Sequence, residues 1–498
     1  MNQSIELPAS ATTTAPTDLQ LFGHPRGLAT LFLTEMWERA TYYGMRAILM
    51  LFMTAVVANG GLGIDDKTAG AIYGLYISAT YLLSLWGGWV ADRLIGQQRA
   101  VMAGGALIML GNALLVISDT RFFFVGLTII VFGTGLLKPN ISAIVAQLYP
   151  EGGARRDAGF SIFYMGINTG AFFGQMLVPI IAAAAGWKLG FAVPAAGMLL
   201  GLIQFYYGRK YLGAAGAEIS GKPGKWWPVY GLAGLVALVI ALAFQGAIHF
   251  EPVSIAQSAN WVMIGLATVY FLYMLFFAGL DAIERGKVIV MIALFVACAM
   301  FWAGYEQAGA SFTLFAERYT DRDILGWEIP GGAVQSANSI FIILFAPAFA
   351  ALWVWLGKRN LDPSAPAKFA LGLILMGLGF AVMVAASKYV LAGHTVLPTW
   401  LVLTYLLHTF GELCLSPVGL SSMTKLAPAR FVGQVMGVWF LATAIGNNLA
   451  GQFSGEIDPN NLATMPQLYT RLFWWGGIAG LVMLAITPWI KRLIRDSK

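Results

Sequence analysis

The feature that most constrains this chain is its series of long apolar runs. Stretches of about 20 residues, enough to cross a bilayer as helix, fall at 28–57, 69–91, 99–118, 122–149, 158–185 and 188–208. Two more follow a polar gap, at 227–248 and 260–280. The last six lie at 288–316, 332–356, 367–387, 397–425, 430–454 and 470–490. In hydrocarbon every backbone N–H and C=O must be satisfied within the segment, so runs of this length are expected to be helices. The expectation is an all-α polytopic membrane protein with 14 transmembrane helices arranged as 6 + 2 + 6. Composition agrees: 58% of residues are hydrophobic and 11% charged, against about 25% charged in soluble domains.

Charge between the runs sets an orientation. With the N-terminus inside, Arg93, Arg99, Arg155, Arg156, Arg209, Lys210, Lys222, Lys225, Arg285 and Lys287 all fall in connections on the inner side, as do Lys358, Arg359, Lys491 and Arg492. The outer connections hold far fewer, Arg121 and Arg318 among them. This is the positive-inside pattern, and it predicts that both termini are cytoplasmic. It also accounts for the net charge of +6, so no nucleic-acid partner is expected; the surroundings are the lipid bilayer. Residues 1–27 read as a cytoplasmic tail with a short disordered start and no cleaved signal peptide. Residues 28–208 form a first six-helix bundle. Residues 209–287 form a Gly-rich basic linker and an accessory hairpin whose two spans lack Asp, Glu, Lys and Arg. A second bundle covers 288–492, and 493–498 is a short tail. Cys298 and Cys414 both sit in apolar runs and make neither a disulfide framework nor a metal-ligand cluster.

Charges inside the runs carry the functional signal. In the first span Glu35, Glu38, Arg39, Tyr42 and Arg46 recur at i, i+3, i+4, i+7 and i+11, one face of a helix. A single charge at mid-bilayer costs roughly 2.5–3.5 kcal/mol on insertion scales. Four on one stripe require partners and a wet, protein-lined cavity; the alternative is an ion-pair network that only fixes helix packing. Lys138, in Gly133-Thr-Gly135-Leu-Leu-Lys138-Pro139-Asn140, is ~25 Å of helical rise past the outer boundary near Arg121 and needs a carboxylate. The seventh and tenth large-bundle spans each bring one buried carboxylate, Glu306 and Glu412. His408, one turn before Glu412, reads as a packed and hydrogen-bonded residue. Asn168, taken alone, reads as a helix-packing amide. Arg39, Arg46 and Lys138 against Glu35, Glu38, Glu306 and Glu412 sum to −1, so one bound proton neutralises the interior. Protonation that breaks an ion pair and frees a helix to move is a physical basis for coupling. No Walker-type loop, metal-ligand spacing or nucleophile elbow is present. ATP drive, a metal and enzyme chemistry are therefore not expected, and the proton is the only coupling species.

Several of these segments match known signatures. The loop Gly87-Gly-Trp-Val-Ala-Asp92-Arg93-Leu-Ile-Gly96-Gln-Gln-Arg99 resembles the loop between the second and third helices of the major facilitator superfamily. Five motifs in order are similar to those of proton-dependent oligopeptide transporters: Glu35-x-x-Glu38-Arg39-x-x-Tyr42-Tyr43-Gly44; Gly133-x-Gly135-x-x-Lys138-Pro139-Asn140; Phe163-Tyr164-x-x-x-Asn168-x-Gly170; Phe301-Trp302-Ala-x-x-Glu306-Gln307; and Gly411-Glu412-x-x-Leu415-Ser416-Pro417-x-Gly419-Leu420-Ser421. The central hairpin is also typical of bacterial members. Three positions depart from the pattern: Ala40 follows the Glu-Arg pair where Phe is usual, Ser339 follows Asn338 where Pro is common, and Tyr305 directly precedes Glu306 where some relatives place a second carboxylate.

The resemblance implies a major-facilitator fold, two six-helix bundles around a central site, and proton-coupled import of di- and tripeptides by alternating access. It implies that Arg46 and Lys138 receive the peptide carboxylate, and that Asn168, Asn338 and Glu412 receive its amine. Tyr42, Tyr43, Tyr81, Trp302, Ser416 and Trp439 would line the pocket. Glu35, Glu38 and Arg39, with Glu306 paired to Lys138, would carry proton coupling. The implied setting is the bacterial inner membrane, with the protein working as a monomer. One alternative is another small substrate on the same scaffold, such as nitrate, a drug or a sugar; a cationic pair facing an anionic Glu412 argues for a zwitterion. A membrane enzyme or receptor would need a catalytic cluster or sensor domain, and none is legible.

Overall fold

The computed structural model describes residues 20–495 apart from Phe22, Ser118, Gly152, Ser220–Lys222 and Leu325. The expected disordered start at 1–19, Lys222 of the linker and the last tail residues 496–498 therefore lie outside the described residues. The chain is helical almost throughout. The first group of helices is α1 (Arg26–Thr54), α2 (Asp66–Val90), α3 (Gln97–Leu115), α4 (Thr120–Gln147), α5 (Gly153–Ala185) and α6 (Trp187–Gly208). The hairpin is α7 (Trp227–Phe244) and α8 (Pro252–Phe276). The last group is α9 (Ala282–Tyr305), the short α10 (Ser311–Tyr319), α11 (Ser336–Lys358), α12 (Ala365–Leu391), α13 (Thr399–Leu426), α14 (Val432–Ser454) and α15 (Thr464–Arg495). Two small hairpins, Gln20–Leu21 with His24–Pro25 and Asp323–Ile324 with Trp327–Glu328, are the only described strand pairs.

Twelve helices among the described residues are long and apolar enough to cross a membrane; α9 with α10 counts as one of them. The long helices α1 and α14 fall outside that set for a physical reason. Glu35, Glu38, Arg39 and Arg46 interrupt α1, and Gln434, Asn447, Asn448 and Gln452 lower the hydropathy of α14. Both are buried among their neighbours, where polar groups are sheltered from lipid.

Close approach at glycine knits the elements that hold the site. A Cβ on Gly170 of α5 would run into the Met36 carbonyl and lie 3.0 Å from Cβ of Arg39, so only glycine lets α5 lie flat on the charged face of α1. Gly451 of α14 similarly meets the backbone of Gly70 and Gly74, bringing α14 against α2.

One expected helix is broken. The run 288–316 was expected as a single helix, but α9 ends at Tyr305, a 3-10 turn covers Glu306–Gly309, and the chain resumes as α10. Ala310 has φ −115° and ψ −98°, off the helical path. The break is satisfied internally: Gln307 Nε2 donates to the carbonyls of Ala303 (3.3 Å) and Ala450 (2.9 Å), and Ser311 Oγ donates to Gln307 Oε1 (2.7 Å). Irregular backbone at this depth is tolerated where protein or a water-filled cavity surrounds it.

The two helix groups meet most tightly at the end away from the termini, the far face. There Arg318 of α10 makes a two-pronged pair with Asp66 of α2, at 2.5 and 2.9 Å. Slightly deeper, Ser339 of α11 donates to Gln175 of α5 at 3.1 Å. Toward the termini, α5 and α11 have no such bond among the described residues, and Tyr164 of α5 is 40% exposed within a span. Lys138, Asn338, Glu412 and Ser416 are partly exposed in the same way. The space between the groups is thus closed at the far face and open toward the termini.

The polar loop after α2 is well ordered. Ala91–Ile95 forms a π-turn ending at Gly96 (φ 79°). Gln98 Nε2 donates to the carbonyl of Ala215 at 2.8 Å, and Gly224 N donates to that of Arg93 at 2.8 Å, so the linker lies strapped across this loop. In the hairpin, α7 stands exposed, whereas α8 docks on α14 through Asn448 Nδ2, which donates to the Ala256 carbonyl (2.7 Å) and Asn260 Oδ1 (3.0 Å).

Candidate functional site

The charged stripe of α1 is buried along its whole length; Glu35, Glu38, Arg39 and Arg46 are each at most 6% exposed. Arg39 is shared by two carboxylates. Its Nε lies 3.1 Å from Glu35 Oε1, one turn back, and it also hydrogen-bonds Glu38. Glu35 Oε2, Glu38 Oε1 and Arg39 Nη2 have no hydrogen-bond partner among the described residues. Buried ionic groups left partly unsatisfied are costly, which makes this triad a place where rearrangement or protonation is cheap. Lys138 of α4 acts on the same cluster electrostatically.

Tyr42 stands between the two arginines of the stripe. The Arg39 guanidinium lies 5.2 Å from its ring centroid and that of Arg46 5.9 Å, within cation–π range. Tyr43 packs edge-on to Tyr42 and faces Arg46 at 5.6 Å. Arg46 Nε donates to Tyr73 Oη at 2.7 Å, and Arg46 forms an ion pair with Glu306.

That ion pair corrects one expectation. Glu306 was expected to pair with Lys138, but it pairs with Arg46. The reason is the break after Tyr305: it turns Glu306 toward α1, and Gly309 admits Arg46, whose Nη2 would sit 3.1 Å from a Cβ there. The carboxylate required for Lys138 is also absent among the described residues. Its Nζ lies instead over the Tyr81 ring, 4.1 Å from the centroid.

Across the cavity, Glu412 Oε2 accepts a hydrogen bond from Tyr305 Oη at 2.5 Å. Asn338, on the same side of the cavity, donates through Nδ2 to Thr409 Oγ1 at 2.8 Å. Ser416, one turn past Glu412, has a hydroxyl without a partner. Trp302 packs edge-on to Tyr305 at 5.2 Å, and Trp439 packs on Phe369 and over Gly419. Asn168 uses Nδ2 within its own helix, donating to the Tyr164 carbonyl at 3.0 Å. His408 is packed, as its setting in the sequence suggests: Nε2 lies 3.1 Å from the Met376 carbonyl, among the rings of Tyr305, Phe312 and Phe380.

The structure therefore brings Glu35, Glu38, Arg39, Tyr42, Tyr43, Arg46, Tyr81 and Lys138 to one wall. Trp302, Asn338, Glu412, Ser416 and Trp439 form the other. One wall is cationic where it is not self-paired, the other carries a carboxylate, and aromatic rings lie between. Two participants were not singled out from the sequence: Tyr73, which holds Arg46, and the Asp66–Arg318 pair; Tyr305, legible there only as standing where some relatives place a second carboxylate, holds Glu412. Tyr73 and Tyr76 share the second span with Tyr81, so a search for intramembrane tyrosines beside charges would have found the first of them.

The chain resembles known proteins along most of its length. The family model described as PTR2, POT family, matches residues 98–465. A peptide transporter of Yersinia enterocolitica, YePEPT, is 42% identical, covering 98% of this chain and 98% of its own. The di-/tripeptide transporter of Lactococcus lactis subsp. lactis is 36% identical, over 97% of this chain and 99% of its own. The crystal structure of a peptide transporter POT in complex with sulfate superposes with a TM-score of 0.88 at 43% identity, covering 95% of this chain and 96% of that one. A family match over most of the chain, near-full-length relatives and a shared fold place this protein in the POT family of transporters.

Proposed function

We propose that this chain is a proton-coupled symporter that imports di- and tripeptides by alternating access across a bacterial inner membrane, as a monomer with both termini cytoplasmic. The observation that carries the reading is the two-ended polar site: Arg46 and Lys138 on one wall, Glu412 with Tyr305 and Asn338 on the other. A short peptide presents a carboxylate and an amine to those two ends whatever its side chains are, and opposite charges clamp it by its termini. The names of the Yersinia and Lactococcus relatives support a peptide substrate.

The pairings suggest how a proton enters the cycle. Arg46 is held by Glu306, so a substrate carboxylate competes with that of Glu306 for the same guanidinium. A proton on Glu306 releases Arg46 to the peptide. Lys138, unpaired by any described carboxylate, is the second cation for the peptide terminus. The Glu35–Glu38–Arg39 triad, with its unmatched oxygens, is the second proton-responsive element. Movement of one helix group against the other then exposes the site to each side in turn.

The decisive measurement is uptake of dialanine by liposomes containing the purified protein. Accumulation is expected with an inward proton gradient, and only equilibration without one. No gradient-dependent accumulation of dialanine would overturn the reading.

A further inference from the structure

The termini-side end of α6 carries an unmatched cluster that the transport site does not use. Arg209 and Lys210 form the turn that ends α6, and Arg26 begins the adjoining α1; Gly27 lies against the Tyr211 carbonyl, so the three cations sit side by side. Each is placed over a tyrosine ring. The Arg209 guanidinium lies 4.7 Å from the Tyr206 centroid, Lys210 Nζ 5.1 Å from that of Tyr211, and Arg26 6.0 Å from the same ring. All three cations are exposed. Among the described residues, none of the three donates a hydrogen bond and no carboxylate lies within ion-pair distance of any of them. Three like charges in one place repel, and no carboxylate among the described residues offsets them.

Beside them Tyr206 is 51% exposed and Tyr207 69% exposed at the end of an apolar span. Tyrosines so placed sit at headgroup level, which puts the cations at the height of lipid phosphates. We propose that Arg26, Arg209 and Lys210 with Tyr206 and Tyr211 form a binding site for the headgroup of an anionic phospholipid in the leaflet on the termini side. Guanidinium groups match phosphate oxygens, the rings hold the cations in place, and the lipid tails have the exposed apolar flank of α6 to lie on, including Leu199, Leu200 and Ile203. The headgroup supplies the charge that the protein leaves unpaired.

The test is native mass spectrometry of the full-length protein from mixed micelles with equal phosphatidylglycerol and phosphatidylethanolamine. The wild type is expected to retain phosphatidylglycerol preferentially. The triple variant R26Q/R209Q/K210Q is expected to lower that preference by about fivefold or more, an effect of the size one interfacial charge can have. The charge-matched variant R285Q/K491Q/R492Q, altered at the other helix group, is expected to keep it. Equal loss in both triple variants, or no loss in the first, would overturn the site. Displacement of the lipid by millimolar inorganic phosphate would also overturn it, by showing a site for soluble anions. Should the triple variant not fold, Lys210→Gln alone, at a residue with no hydrogen bond or ion pair among the described residues, carries the test: about fivefold weaker preference supports the site and an unchanged one overturns it.

Discussion

At the scale of the residue, the site depends on which carboxylate each cation meets. Glu412 is partly exposed to the cavity, its Oε2 held by Tyr305 and its charge facing no described cation. An amine entering the cavity would meet a ready acceptor there. We expect Glu412→Gln to weaken dipeptide binding by about 10- to 100-fold, the range of a hydrogen bond to a charged group, and to leave N-acylated analogues, which lack the amine, nearly unaffected. Equal loss for both ligands in a binding assay would remove Glu412 from amine recognition. Lys138 poses the complementary case. Its ammonium sits over Tyr81 without an ion pair among the described residues. Lys138→Ala is expected to abolish proton-driven uptake, and wild-type accumulation by that variant would rule out a coupling role.

At the scale of the element, much of the molecule was legible. Apolar length predicts the helices, and the spacing of Glu35, Glu38, Arg39, Tyr42 and Arg46 places them on one buried face of α1, because helical periodicity is a local property. The pairing of Glu306 was not legible. It depends on the break between α9 and α10, which rotates that residue toward Arg46, and an apolar run gives no sign of where its backbone leaves the helical path. The Arg46–Tyr73 bond escaped for a related reason: it depends on how far α2 is turned about its axis against α1. The contact of α1 with α5 was only partly readable, since glycines can mark close packing without naming the partner. That contact is open to test. A side chain at Gly170 must displace the Met36 carbonyl and Cβ of Arg39, neither of which is a flexible end. Gly170→Val is expected to destabilise the protein by about 1–3 kcal/mol, read as a lowered thermal midpoint in detergent. An unchanged midpoint would mean that α1 and α5 are looser than their packing indicates.

At the scale of the whole molecule, the far face is held by a few contacts between the two helix groups, while the opposite side is open. The alternating access proposed above requires those contacts to break as a set. The Asp66–Arg318 pair is the outermost of them and bridges α2 to α10, the segment just beyond Glu306. Opening at the far face therefore pulls on the same broken helix that carries the Arg46–Glu306 pair, so loosening either pair should favour opening. Arg318 is 29% and Asp66 8% exposed at the side chain, so solvent screens the pair in part, and its two-pronged geometry contributes about 1 kcal/mol. Asp66→Asn or Arg318→Gln should raise the far-face-open population by roughly fivefold on that figure. Spin labels at exposed Asn59 and Asp321 would report it as a larger fraction of long distances. The swapped variant D66R/R318D restores opposite charges at the same two positions and is expected to return the distribution to that of the wild type. If the swap stays open like the single variants, the effect is local damage at α2 or α10 and the pair is not what holds the far face shut.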